Sequence, residues 1–231
     1  FDSEPREWVD LGFSEPTLAN AYFLITGSGA YMHNVSASPI ENIGIVEMNE
    51  AGSAYRVVWG LMNRKPTSEL PTHIMNHAIR MKATDGACRV IYHAHPNNII
   101  AMTFVEPLDA RTFSRALWKA MTECVVVFPE GVGVVPWMVP GGNEIAKATS
   151  EQMKSYPAVI WAQHGLFVSG ADFDETFGLM HCIEKAADIY FRARTMNGGS
   201  NEFLNTITDE GLAQIGVEFN VEINKEFLDV Q

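Results

Sequence analysis

The sequence predicts an α+β fold in which a central, largely antiparallel sheet is flanked by helices. Three observations carry that expectation. Short β-prone runs face one another across polar turns early in the chain, and apolar residues recur at helical spacing between the later runs. Hydrophobic residues make up 47% of the chain against 19% charged, enough apolar side chain for a sizeable core. Hairpins mixed with helices, without strict strand–helix alternation, disfavour a doubly wound parallel sheet. No Pro/Gly/Ser-rich linker, charge run or internal repeat divides the 231 residues, so 1–231 reads as a single domain.

Residues 1–20 mix charges, Trp8 and two prolines without a period, and read as an irregular arm. Residues 21–26 are a short apolar run ended by Gly27-Ser28-Gly29, a buried strand entering a tight loop. Such a loop can offer backbone N–H groups to an anion, although an ordinary turn has the same composition. Residues 44–48 and 55–60 are expected to pair as an antiparallel hairpin. Pro66-Thr67-Ser68-Glu69-Leu70-Pro71 then announces a helix over 72–81 that stops by Asp85-Gly86: Thr67 or Ser68 suits the cap and Pro71 the first helical position. The N–H groups and positive dipole end at that start suit a phosphate. Residues 89–95 follow as a strand before Pro96. Strand alternation sends His93 and His95 to one face, about 7 Å apart along the strand.

Asp109 is expected to cap a helix reaching about Met121. Residues 123–128 and 131–139 read as strands, which puts Glu123 at a helix-to-strand junction, and Asn143-Glu144 opens a helix through Met153. Residues 158–168 read as paired strands with His164 at a Gly-marked turn. The longest helix is expected from Asp174 to near Gly198-Gly199, with Phe177, Met180, Ile183, Ala187 and Tyr190 spaced by threes and fours. A short helix from Thr208 and a strand-like run over 217–223 complete the chain.

Lys and Arg number 16 against 28 Asp and Glu, a formal net charge of -12, and that acidic field repels phosphodiester backbones and anionic lipid surfaces. Nucleic acid and membranes are therefore not expected as partners. A phosphorylated substrate would have to be caught by a local pocket of donors. Cys88, Cys124 and Cys182 are odd in number and lack CxxC spacing, which argues against a disulfide framework or a thiolate metal site and for a reducing, cytoplasmic setting. No apolar run approaches the roughly 20 residues of a spanning helix, and the acidic start is unlike a signal peptide.

Of the seven histidines, His33 and His181 lack a partner at ligand spacing and read as structural. His73 and His77 face the same way on the 72–81 helix, but without the Glu of HExxH they read more simply as part of its packing. His93 and His95, with His164 as a distant third, follow a common plan for catalytic zinc: three neutral nitrogens and one open position. The competing reading of His93 and His95 is two polar residues on a sheet's solvent face. Three ligands with an open site would let a divalent ion polarise a carbonyl, making the adjacent C–H acidic enough for a carboxylate base. Glu69 and Glu123 are the candidate bases, each also explicable as a helix-end or surface charge.

Thr26-Gly27-Ser28-Gly29, Trp59-Gly60-Leu61, the 66–73 segment, His93-Ala94-His95, Thr122-Glu123-Cys124, Pro136-Trp137-Met138-Val139-Pro140-Gly141, His164-Gly165 and Asp174-Glu175-Thr176-Phe177-Gly178 occur in unbroken order. Together they resemble the class II, zinc-dependent aldolases, from about residue 18 onward. The resemblance implies a three-layer α/β/α fold with one Zn²⁺ per subunit on His93, His95 and His164. It also implies Glu69 as the acid/base residue, and Glu123 as a second carboxylate acting on the aldehyde-derived hydroxyl. Ser28, Gly29, Thr67 and Ser68 match phosphate-binding positions. The implied reaction is retro-aldol cleavage of L-rhamnulose 1-phosphate to dihydroxyacetone phosphate and L-lactaldehyde in rhamnose catabolism, by a cytoplasmic homotetramer. The alternatives are an L-ribulose-5-phosphate 4-epimerase-type activity or a metal-free adducin-like binding module. Residues 1–20 do not match the family's N-terminal helical segment with its Asn-Gly-Gly-Asn-like phosphate loop.

Overall fold

The computed structural model describes residues 4–229. Its contacts group the chain into two compact units, Phe1–Ala78 with Val139–Lys147, and Ile79–Met138 with Ala148–Gln231. The α+β class and the antiparallel bias expected from the sequence are both present. The strands are shared between two four-stranded sheets, one in each unit.

In the first unit the elements are β1 (Val9–Asp10), β2 (Tyr22–Thr26), α1 (Pro39–Asn42), β3 (Ile43–Met48) and β4 (Ala54–Gly60), followed by the start of α2 (Leu70–Ala83). The sheet order is β1-β4-β3-β2, antiparallel throughout, and includes the expected β3–β4 hairpin. Burial alternates along β3, so that Gly44, Val46 and Met48 face inward. Leu18, Ile25, Val46, Met48, Val57, Leu61, Leu70 and Ile74 form its apolar core. The loops after β2 and before α2 are laced together. Thr67 N–H donates to the Thr26 carbonyl, Ser28 N–H to the Lys65 carbonyl, and Gly27 bridges Pro66. The anion-loop candidates 28–29 and 67–68 therefore share one locality. The arm over 1–20 carries β1 and a short 3₁₀ turn at Pro16–Leu18 whose Leu18 is buried.

The second unit holds β5 (Val90–Ala94), α3 (Asn97–Met102), α4 (Ala110–Ala120), α5 (Glu123–Val127), β6 (Gly133–Val135), the end of α6 (Asn143–Gln152), β7 (Ala158–Trp161), β8 (Gly165–Gly170), α7 (Phe173–Met196) and α8 (Asp209–Phe219). The sheet order is β5-β8-β7-β6, antiparallel except for the parallel β6–β7 pair. Its core includes Phe113, Leu117, Trp118, Phe128, Ile160, Leu166 and Ile183. Asp109, Asp172 and Thr208 cap α4, α7 and α8 by accepting the N–H of Thr112, Glu175 and Gly211.

Two expected strands are wholly or partly helical. Residues 123–127 form α5, with Phe128 N–H donating to the Cys124 carbonyl, so Glu123 opens a helix and sits at no strand junction. Burial explains the reversal: Cys124 and Val125 enter the core beside α7 and α8 while Glu123 and Val127 stay exposed, an arrangement a helix turn satisfies and strand alternation does not. The run over 217–223 is likewise split. α8 continues to Phe219 and ends at a left-handed Asn220 (φ 53), whose N–H caps the Gly216 and Val217 carbonyls. The strand expected over 131–139 contracts to β6, and α3 has no counterpart in the sequence reading.

Candidate active site

His93 is the penultimate residue of β5 and His95 lies just past its end. In the β5–β8 register His93 pairs Phe167 and Ala94 pairs Leu166. β7 and β8 close their hairpin at the Trp161–Gly165 pair, leaving a three-residue turn of Ala162, Gln163 and His164 beside the end of β5. Antiparallel pairing of β8 with both neighbours thus carries histidines 69 positions apart in sequence to one spot. One ligand atom from each of His93, His95 and His164 lies within 4.8 Å of the others.

The tautomer of His93 follows from its partner. Its Nδ1 is 3.1 Å from the Leu166 carbonyl, and because a carbonyl only accepts, Nδ1 carries the proton and Nε2 presents its lone pair. That Nε2 is 3.2 Å from the Nε2 of His95. Two nitrogens bound to one tetrahedral zinc at 2.0–2.1 Å would stand about 3.3 Å apart, so the spacing fits such an ion. The His93 ring stacks on Phe167 with centroids 4.1 Å apart and is flanked by Trp161, whose indole N–H donates to Thr149. His95 remains exposed, the side on which a coordination position would stay open.

Gly165 makes the approach of these strands feasible. A Cβ there would stand 2.4 Å from the Ala94 carbonyl, 3.0 Å from the His95 ring and 3.2 Å from the His93 ring. Next to His164, Gln163 adopts the left-handed conformation (φ 56), uncommon for a non-glycine residue. It is held by three hydrogen bonds to Thr103. Its N–H donates to Oγ1 at 3.0 Å, and its side-chain amide donates to the Thr103 carbonyl at 2.9 Å and to Oγ1 at 3.1 Å. Thr103 ends α3, and the other end of α3 is fixed by Glu184 of α7, whose carboxylate accepts the N–H groups of Asn98 and Ile99 and the Asn98 side-chain amide. Helix α3 thereby links the segment carrying His95 to the turn carrying His164. Sequence reasoning missed Thr103, Gln163 and Glu184; of this support only the glycine after His164 was visible beforehand.

In the first unit, Glu69 precedes α2 and its Oε2 accepts from Thr67 Oγ1 at 2.6 Å and Ser68 Oγ at 2.9 Å. The two hydroxyls expected to meet a phosphate are thus directed at the candidate base. Arg64 donates from Nη1 to the Ser28 carbonyl at 3.1 Å. His73 is buried on α2, and His77 packs beside Phe23 at 4.9 Å, with burial pushing it down to about 4. Neither belongs to the three-histidine cluster. His33 is exposed, and exposed His181 stacks on Phe177. Glu123, exposed on the first turn of α5, is also outside the cluster. All three cysteines are free, with the sulfurs of Cys124 and Cys182 3.8 Å apart. No helix among the described residues is long and apolar enough to cross a membrane.

Comparison with known proteins gives concordant matches. The family described as "Class II Aldolase and Adducin N-terminal domain" matches residues 6–191. Rhamnulose-1-phosphate aldolase of Escherichia coli O139:H28 (strain E24377A / ETEC) is 45% identical over 222 residues, covering 96% of this chain and 79% of that protein. The protein of that name from Shigella sonnei (strain Ss046) shows the same identity and coverage. Among solved structures, a sugar-phosphate aldolase from Thermotoga maritima superposes with a TM-score of 0.71 at 30% identity, covering 86% of this chain and 81% of that one.

Proposed function

The chain belongs to the class II aldolase and adducin family, and we propose that it is an aldolase of the rhamnulose-1-phosphate type, cleaving L-rhamnulose 1-phosphate to dihydroxyacetone phosphate and L-lactaldehyde in rhamnose catabolism. The observation that carries this reading is the convergence of His93, His95 and His164, with the two Nε2 atoms 3.2 Å apart, in a chain 45% identical to aldolases of that name over 96% of its length. A metal-free binding module would have no use for such a constellation. The family match over 6–191 runs through both compact units, which supports reading that stretch as one domain.

His93, His95 and His164 are the residues that would hold Zn²⁺. Bound there, zinc supplies a Lewis acid that draws electron density from the ketose carbonyl. The Leu166 carbonyl keeps the His93 proton on Nδ1, so no proton competes for Nε2. In the cleavage direction the bond between the third and fourth carbons breaks. Glu123 takes the proton of the hydroxyl that becomes the aldehyde, and its electron pair forms the new C=O. Glu69 delivers a proton to the carbon that retains the bonding pair, so one proton leaves oxygen and one reaches carbon. The Thr67 and Ser68 hydroxyls orient the Glu69 carboxylate for that task. Ser28 and Gly29 contribute to phosphate recognition, while the hydroxyls of Thr67 and Ser68, the other two positions matched to phosphate, are engaged by Glu69.

The oligomer is a homotetramer by family resemblance; large apolar side chains such as Phe104 and Val105 that stay exposed on the single chain support association, without fixing the number of subunits. The compartment is a reducing cytoplasm, a reading that rests on three cysteines, odd in number and without CxxC spacing. Release of dihydroxyacetone phosphate from L-rhamnulose 1-phosphate, measured before and after chelation and after zinc is restored, tests the reading. Zinc-dependent release is expected. Conversion of L-ribulose 5-phosphate to D-xylulose 5-phosphate, without release from rhamnulose 1-phosphate, would replace it with the epimerase.

A further inference from the structure

The Gly27-Ser28-Gly29 loop is covered by a side chain that the sequence reading passed over. The stem of Arg64 lies across Gly27, where a Cβ would stand 3.0 Å from its Cδ. Its Nη1 reaches the Ser28 carbonyl and would be 3.6 Å from a Cβ on Gly29. Arg64 is placed there by an unusual turn. Gly60, Leu61 and Asn63 all have positive φ (71, 52 and 64), and Leu61, fully buried, anchors the turn in the core of its unit. A left-handed leucine is a strained choice that persists only where surrounding structure enforces it. Enforcement comes from Arg6, which donates to the carbonyls of Gly60, Leu61 and Arg64, and from Arg64 N–H donating to the Leu61 carbonyl.

The donors that sequence reasoning assigned to phosphate are largely committed elsewhere. Ser28 N–H donates to Lys65, Thr67 N–H to Thr26, and the Thr67 and Ser68 hydroxyls to Glu69. Ser28 and Gly29 are exposed at the loop, and beside them the half-buried Arg64 has no carboxylate partner among the described residues. In a chain of net charge -12, an unneutralised guanidinium beside two neutral donors is the local cation that an anionic substrate needs.

We propose that Arg64 recognises the phosphate group of the substrate, its guanidinium acting with Ser28 and Gly29 across the Gly27–Gly29 loop. This rests on the ketose-phosphate reading for the ligand's identity but not for the anion site itself. Arg64 determines specificity for the phosphorylated ketose over the free sugar and takes no part in proton transfer.

The test uses the full chain, zinc-loaded, with Arg64→Gln, which keeps a stem over Gly27 and a donor for Ser28, and Arg64→Lys, which keeps the charge. Inorganic phosphate is the probe, followed by direct titration and as a competitive inhibitor. Arg64→Gln is expected to weaken phosphate binding, and to lower the preference for phosphorylated over unphosphorylated ketose, each by about 10–100-fold, with partial recovery in Arg64→Lys. Thermal unfolding midpoints matching the parent's show that the fold is kept. Phosphate binding equally tight in the parent and Arg64→Gln, or absent from the parent, overturns the proposal. Arg64-dependent phosphate binding in a protein that does not cleave the ketose phosphate leaves the anion site standing and removes the assigned reaction.

Discussion

At the scale of single residues, the three-histidine cluster depends on the groups that aim its imidazoles. Leu166 sets the His93 tautomer through its carbonyl, Gly165 leaves room for two imidazoles, and Gln163 enters the left-handed region to turn the chain into His164. Thr103 holds Gln163 through both its hydroxyl and its carbonyl, and the hydroxyl in turn donates to Ile100. Removing that hydroxyl while keeping side-chain shape, as in Thr103→Val, is expected to weaken zinc binding by about 10–100-fold, with Thr103→Ser restoring most of it. Competition against a chromophoric chelator reads the affinity, and the visible spectrum of the cobalt-substituted protein reads the ligand geometry. Unchanged affinity in Thr103→Val would remove Thr103 from the support of the site. The three histidines were legible in the sequence because a strand's period of two puts His93 and His95 on one face and a glycine marks the His164 turn. The Thr103–Gln163 contact was not, because its partners lie 60 residues apart and neither residue type announces a left-handed turn.

At the scale of elements, amphipathic helices and capped starts were legible. Asp109 and Thr208 cap the helices expected of them, while α7 begins at Phe173, just ahead of the Asp174 expected to open it, with Asp172 as its cap. Short apolar runs were ambiguous. Residues 123–127, rich in valine, have strand propensity, yet burial of Cys124 and Val125 against α7 and α8 selects a helix. Helix α3 is only six residues long, too short to show a period, and it depends on a partner from another helix. Glu184 supplies that partner by accepting the N–H groups of Asn98 and Ile99. Glu184→Ala leaves those two donors without their acceptor and is expected to cost about 1–2 kcal/mol in denaturant unfolding. It should also accelerate zinc loss, because α3 runs from beside His95 to Thr103. A variant with parental stability and zinc retention would show that α3 is held by its apolar contacts alone.

For the molecule as a whole, acid stability follows from a half-buried histidine in one unit and a buried aspartate in the other. Burial pushes His77 from 6.5 to about 4, so the unfolded chain binds its proton first as pH falls. The stability from its neutral, packed ring is present above about pH 6.5 and is lost between there and pH 4, at most about 3 kcal/mol. Asp209 is buried, which alone would raise its carboxyl, but hydrogen bonds from Arg115 and Lys119 and from the Asp229 N–H hold it below the usual carboxylate range. Its contribution is present above about pH 4 and fades as pH drops further. Urea unfolding from pH 7 to pH 4 should therefore show a declining stability that His77→Phe flattens; an equal slope in that variant would assign the decline elsewhere. The most direct test of the aldolase account is a paired measurement on Glu69→Gln, with bound zinc determined per chain alongside dihydroxyacetone phosphate release. Zinc at the parent's stoichiometry with turnover lowered about 10²–10⁴-fold is the expected result. Parental turnover in Glu69→Gln, or a parent protein that binds zinc at His93, His95 and His164 and releases no dihydroxyacetone phosphate, would contradict it.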